Sequence, residues 1–107
     1  YSDALNKLEV EFLESAGFET LNIKGLGIED TTVLPFVRSE EYYKLAMEQD
    51  ATGADAIFIS CTGIEAMQVI EKGLPVITSN QATLWCAMRR IGYNEELPGL
   101  GSLGRVI

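Results

Sequence analysis

The spacing of apolar positions changes period several times along the chain. From Ala4 to Ala16, Leu5, Leu8, Phe12 and Leu13 recur at helical intervals, with Glu9, Glu11 and Glu14 on other faces. That pattern predicts an amphipathic helix. Ser2 or Asp3 is placed to cap it, and Gly17 stands where a left-handed stop belongs. Phe18–Ile23 then alternates with a period of two, as a short strand does. Lys24–Thr32, with Gly25 and Gly27, reads as a loop, and Val33–Val37 is ambiguous around Pro35. Ser39 caps a second helix, which runs through the acidic pair Glu40-Glu41 to Gln49 and is broken at Thr52-Gly53.

Ala54–Cys61 is almost continuously apolar, which suits a parallel strand buried on both faces. Thr62-Gly63 turns the chain, and Ile64–Lys72 is a helix stopped by Gly73. Pro75–Thr78 is a further buried strand, after which Ser79-Asn80 caps a helix over Gln81–Ile91 that ends at Gly92. The tail, Pro98–Gly104, is punctuated by glycine and irregular.

Helices alternating with strands in this way predict an α/β fold with a doubly wound parallel sheet. Such units open on a strand, whereas this chain opens on a helix. In a flavodoxin-like order, 2-1-3-4, the absent first strand would lie between the strands at Phe18–Ile23 and Ala54–Cys61. Residues 1–107 are therefore expected to be a fragment of an α/β domain whose missing strand is supplied by the rest of a larger protein.

Composition narrows the chemistry. Eight Lys and Arg against sixteen Asp and Glu give a net charge of −8. That sign disfavours nucleic acid and anionic membrane surfaces as partners, since both require a basic footprint. Hydrophobic residues make up 47% of the chain, enough for a core. Histidine is absent, which excludes Ser-His-Asp and Cys-His catalysis and most transition-metal sites. The two cysteines cannot build a multi-bridge secreted scaffold. No apolar run approaches the roughly 18 residues of a spanning helix, and no leader pattern is present. The expected setting is cytoplasmic.

In open parallel sheets, ligands bind beyond the carboxyl ends of the strands. Gly25–Thr32, Ser60–Gly63 and Thr78–Asn80 reach that edge. Cys61 closes a buried strand just before a helix, where N–H groups of Thr62, Gly63 and Ile64 would favour a thiolate or bind a carboxylate. A buried cysteine acting as a small hydrophobe is the other reading of the same residue. A phosphatase loop is excluded, because Met67 stands where its arginine would be. Cys86, beside Trp85, reads as packing, Thr78-Ser79-Asn80 as a helix cap, and Arg89-Arg90 as a complement to the helix dipole.

Taken together, Ala54–Thr62, Gly73–Ala82 and Trp85 resemble the C-terminal half of the Asp/Glu racemase superfamily. Within it the likeness is to the branch of maleate cis-trans isomerases and arylmalonate decarboxylases. The Gly25–Ile28 loop and the Pro98–Gly101 tail fit the same branch. The resemblance implies a cofactor-independent enzyme of two pseudo-symmetric α/β halves that enclose one small carboxylate substrate. Carried onto this sequence, it makes Cys61 the acid/base thiol, and Thr62 and Gly63 backbone donors to the substrate carboxylate. It also makes Tyr1 a hydroxyl donor, with Thr31 nearby. Thr31 departs from the asparagine that isomerases of the branch carry at that loop position.

The partners implied are a small carboxylate substrate and the missing N-terminal half. The oligomeric state stays open, a homo-oligomer included. Two other functions compete with this one: a non-catalytic α/β module that binds a small anion, and a thiol redox sensor that would need an oxidisable Cys61.

Overall fold

The computed structural model describes residues 1–60, 63, 71 and 73–107. They form two compact units, Tyr1–Ala54 and Asp55–Ile107.

The first unit opens with helix α1, Asp3–Ser15. Ser2 caps it, its side chain accepting from the Leu5 N–H at 3.4 Å. At the other end Gly17 takes φ +93°, donating to Glu14 O while Phe18 donates to Leu13 O. This paired closure satisfies two carbonyls that the helix leaves without partners. Gly92 ends a later helix in the same manner, at φ +86°.

Residues 18–30 carry no regular element, so the strand expected over Phe18–Ile23 is not formed. Alternation makes a segment able to be a strand, but only a neighbouring ladder makes it one. Among the described residues the sheet has two strands, and neither is this segment.

The ambiguous stretch around Pro35 is a 3-10 turn, Thr31–Phe36, capped by Asp30. Helix α2, Ser39–Met47, follows with Arg38 at the cap position and no side-chain cap bond. Ser39, the expected cap, is instead its first helical residue. Tyr42 and Ala46 are buried, and the Tyr42 hydroxyl donates to Leu34 O at 3.3 Å, tying α2 to the 3-10 turn. The ion pairs Arg38–Glu40 and Lys44–Glu48 are exposed and contribute little.

The second unit contains β1, Ile57–Ile59, and β2, Val76–Thr78, paired in parallel with Ile57 opposite Val76 and Ile59 opposite Thr78. The architecture is thus mixed α/β with a small parallel sheet. Helix α3, Ser79–Arg90, leaves β2 without an intervening loop. A single-turn helix, α4, spans Gly101–Gly104 within the tail that was expected to be irregular. Val76 and Leu100 are the buried apolar centres of this unit. The helix expected over Ile64–Lys72 lies outside the described residues except for Glu71. Among the described residues no helix is long and apolar enough to cross a membrane.

Candidate functional site

Parallel pairing fixes which ends of β1 and β2 lie together. Because Ile59 is level with Thr78, the chain leaves both strands at one edge, at Ser60 and at Ser79. This is the edge where open parallel sheets bind ligands.

The exit from β2 is held by a reciprocal cap. The Gln81 N–H donates to Thr78 Oγ1 at 3.1 Å, and the Thr78 N–H donates to Gln81 Oε1 at 3.1 Å. Thr78 and Gln81 are 0% and 1% exposed, so the cap is sealed from water. The expected cap, Ser79-Asn80, is corrected by one residue, since Ser79 and Asn80 already belong to α3. The Thr-x-x-Gln spacing is the capping-box signature and was available in the sequence.

Of the residues that the resemblance assigned to this edge, Cys61 and Thr62 lie outside the described residues. Gly63 is exposed and lies in a turn.

In the first unit, Tyr1 and the glycine loop come together. A methyl group on Gly25 would collide with Tyr1 O and stand 2.9 Å from both Tyr1 N and Asn6 Nδ2. Only the lack of a side chain lets the loop lie this close. Thr31 begins the 3-10 turn and is exposed, with no side-chain hydrogen bond among the described residues. Nothing in the geometry joins it to Tyr1.

Asn6 escaped the sequence reading. It shares the helix face of Val10 and Leu13, at i+4 and i+7, rather than that of Leu5, Leu8 and Phe12. It is 7% exposed, while those last three apolar side chains are 51%, 62% and 70% exposed.

Electrostatics single out Glu71. Burial raises its carboxyl pKa, but the Ser102 hydroxyl and N–H, the Val76 N–H and the charge of Arg105 together outweigh that and hold it below the usual value. Ser102 N–H donates to both carboxylate oxygens, at 3.0 and 3.1 Å, and Val76 N–H donates at 3.1 Å. Glu71 therefore binds β2 to the start of α4, a structural task. Asp30 and Asp50 are also held low, each by the hydroxyl and N–H of the threonine two residues on.

Cys86 is half-buried on α3. With Ala82, Thr83, Ala87 and Arg90 it lines a shallow groove of about 460 Å³. Among the described residues no group of three Cys, Asp or Glu side chains is arranged to hold a metal ion.

Comparison with known proteins adds to this geometry. A protein named maleate isomerase from Pseudomonas putida (strain KT2440) is 24% identical over 109 aligned positions, covering 96% of this chain and 44% of its own length. The chain thus spans less than half of the curated relative it matches. No solved structure matches. The family model described as arylmalonate decarboxylase matches residues 1–104. With almost the whole length matched, the chain belongs to the arylmalonate decarboxylase family.

Proposed function

We propose that this chain is the C-terminal half of a cofactor-independent enzyme that acts on a small carboxylate or dicarboxylate by cysteine acid-base chemistry. The family match over residues 1–104 is the observation that carries this reading. The shared exit edge of β1 and β2, set by the pairing of Ile59 with Thr78, supports it, since Cys61 follows Ile59 by two positions in the sequence. In this proposal residues 1–107 belong to a flavodoxin-like, doubly wound half-domain. The remainder of a protein as long as the relative supplies the pseudo-symmetric partner half.

Two reactions fit. In a decarboxylation, the carbon–carbon bond to one carboxylate breaks, carbon dioxide leaves, and the electron pair remains as an enediolate. The Cys61 thiol gives its proton to the carbanion carbon and is reprotonated from solvent. In a cis-trans isomerisation, a thiolate of the other half adds to the double bond and Cys61 protonates the neighbouring carbon. Rotation about the resulting single bond and reversal of both steps then release product. In this reading the Thr62 and Gly63 N–H groups and the Tyr1 hydroxyl are donors to the substrate carboxylate, and Thr31 is a further binding residue. Preorganised donors of this kind stabilise the enediolate, and a positioned proton donor contributes about 10²- to 10⁴-fold. No metal or organic cofactor is required.

The test is Cys61→Ala in the complete protein, assayed with maleate and with an arylmalonate. Loss of turnover by about 10³-fold with ligand binding retained is the expected result. Unchanged turnover removes the thiol from the mechanism. Anion binding without turnover in the unsubstituted protein makes the chain a binding module, and reversible peroxide modification of Cys61 without turnover makes it a thiol sensor.

A further inference from the structure

Most of the described glycines take a positive φ, the backbone state that a turn or a helix end asks of them. Gly25 does not. Its need for glycine is one of space. A methyl group there would run into Tyr1 O and stand 2.9 Å from Tyr1 N and from Asn6 Nδ2. The two Tyr1 atoms belong to the main chain, which cannot swing aside as the tip of a long side chain does.

Any residue larger than glycine therefore forces a shift, and the restraints on each partner say where it falls. Asn6 is fixed within α1, its N–H donating to Ser2 O at 2.9 Å. The loop is tied on both sides of Gly25. Asn22 Nδ2 donates to Asp50 O at 2.5 Å, and the Asp30 carboxylate accepts from the Thr32 N–H and hydroxyl at 3.0 and 2.6 Å. Tyr1 stands before the Ser2 cap, outside the helix, and is the part that yields. We infer that Gly25 is a positioning residue: by letting the loop close on the main chain of Tyr1, it fixes where the Tyr1 hydroxyl is presented to a substrate carboxylate. This inference rests on the proposed function for the role of Tyr1. It adds a residue that the glycine pattern alone reads as a turn.

The experiment uses the complete protein and steady-state turnover of maleate and of an arylmalonate, with the thermal midpoint as the measure of folding. Tyr1→Phe removes the hydroxyl and keeps the main chain. It should raise KM about tenfold, the loss of one hydrogen bond to a charged group. Gly25→Ala should raise KM by a similar factor with kcat little changed, because the weakened contact serves ground and transition state alike. In the double variant KM should be no higher than in Tyr1→Phe, since a residue that acts through the hydroxyl then has nothing left to place. Gly17→Ala controls for lost stability in the same unit, being strained at φ +93° with nothing within 4 Å of the added methyl. Its midpoint should fall while its KM stays within twofold.

A KM within twofold of the unsubstituted protein in Gly25→Ala overturns the inference and leaves the role of Tyr1 standing. So do effects that multiply in the double variant, an equal rise of KM in Gly17→Ala, or a Gly25→Ala protein that does not fold. An unchanged KM in Tyr1→Phe, or no turnover by the unsubstituted protein, overturns the role of Tyr1 and this inference with it.

Discussion

The guanidinium of Arg89 lies over the ring of Trp85, 5.6 Å from its centroid, and both side chains donate to the same oxygen, the carbonyl of Val106. Trp85 reaches it through Nε1 at 2.8 Å, and Arg89 through Nη2 at 2.8 Å and Nε at 3.3 Å. From Nη1, Arg89 also donates to Tyr93 O at 2.7 Å and Glu95 O at 3.0 Å. One planar cation thus gathers three carbonyls from two segments onto the end of α3.

Arg89→Lys is expected to release the tail. A lysine ammonium lacks the fixed fork that serves several acceptors at once, and it loses the flat stacking on the indole. The bonds are exposed to water, so the loss in stability should be about 1 kcal/mol. The sharper readout is hydrogen exchange at the amides of residues 105–107, which should become several times faster. Unchanged exchange would mean that this segment is held by other contacts.

The sealed cap between Thr78 and Gln81 leads to a second expectation. Thr78→Val keeps the shape of the side chain but leaves the buried Gln81 N–H without an acceptor, which costs about 2 kcal/mol. Thr78→Ser restores the acceptor and should recover most of that loss. The measurement is the urea midpoint of the three proteins. A valine variant as stable as the original would show that the reciprocal bonds contribute nothing net.

Glu71 gives a dependence on pH. Its carboxyl is more acidic in the folded chain than the ordinary value of 4.5. Its stabilisation is therefore fully present above that value and is lost as pH falls through the lower folded value. Between pH 7 and pH 3 the urea midpoint should fall less in Glu71→Gln than in the unsubstituted chain. Some acid sensitivity should persist in the variant, since Asp30 and Asp50 are held low as well. Equal pH dependence in the two proteins would assign acid sensitivity to other groups.

The sequence made the helices legible and concealed what they face. Ser2 and Gly17 bracket α1 as their chemistry requires, and helical period located α3 to within two residues of its start. Its true start follows from Thr78, whose partner Gln81 stands three positions on. Period also separates Leu5, Leu8 and Phe12 from Asn6, but it cannot say which face is covered. Burial depends on segments distant in the chain, here the loop at Gly25. The alternation of Phe18–Ile23 failed for the same reason, because a ladder needs a second strand that local pattern does not specify. At the strand edge, the pairing of Ile59 with Thr78 agrees with two parallel strands read from their apolar runs, but β1 is not buried on both faces as its run predicted, since Phe58 is 45% exposed. The role of Cys61 still rests on family likeness.

Trp85 is the sole tryptophan of the chain, and it belongs to the second unit. Excitation at the red edge of the aromatic band therefore reports on Asp55–Ile107 alone. Tyr1, Tyr42 and Tyr43, in the first unit, stay dark at that wavelength. A melting curve followed by indole emission describes half of this molecule. It coincides with one followed by backbone dichroism only if the two units come apart as one.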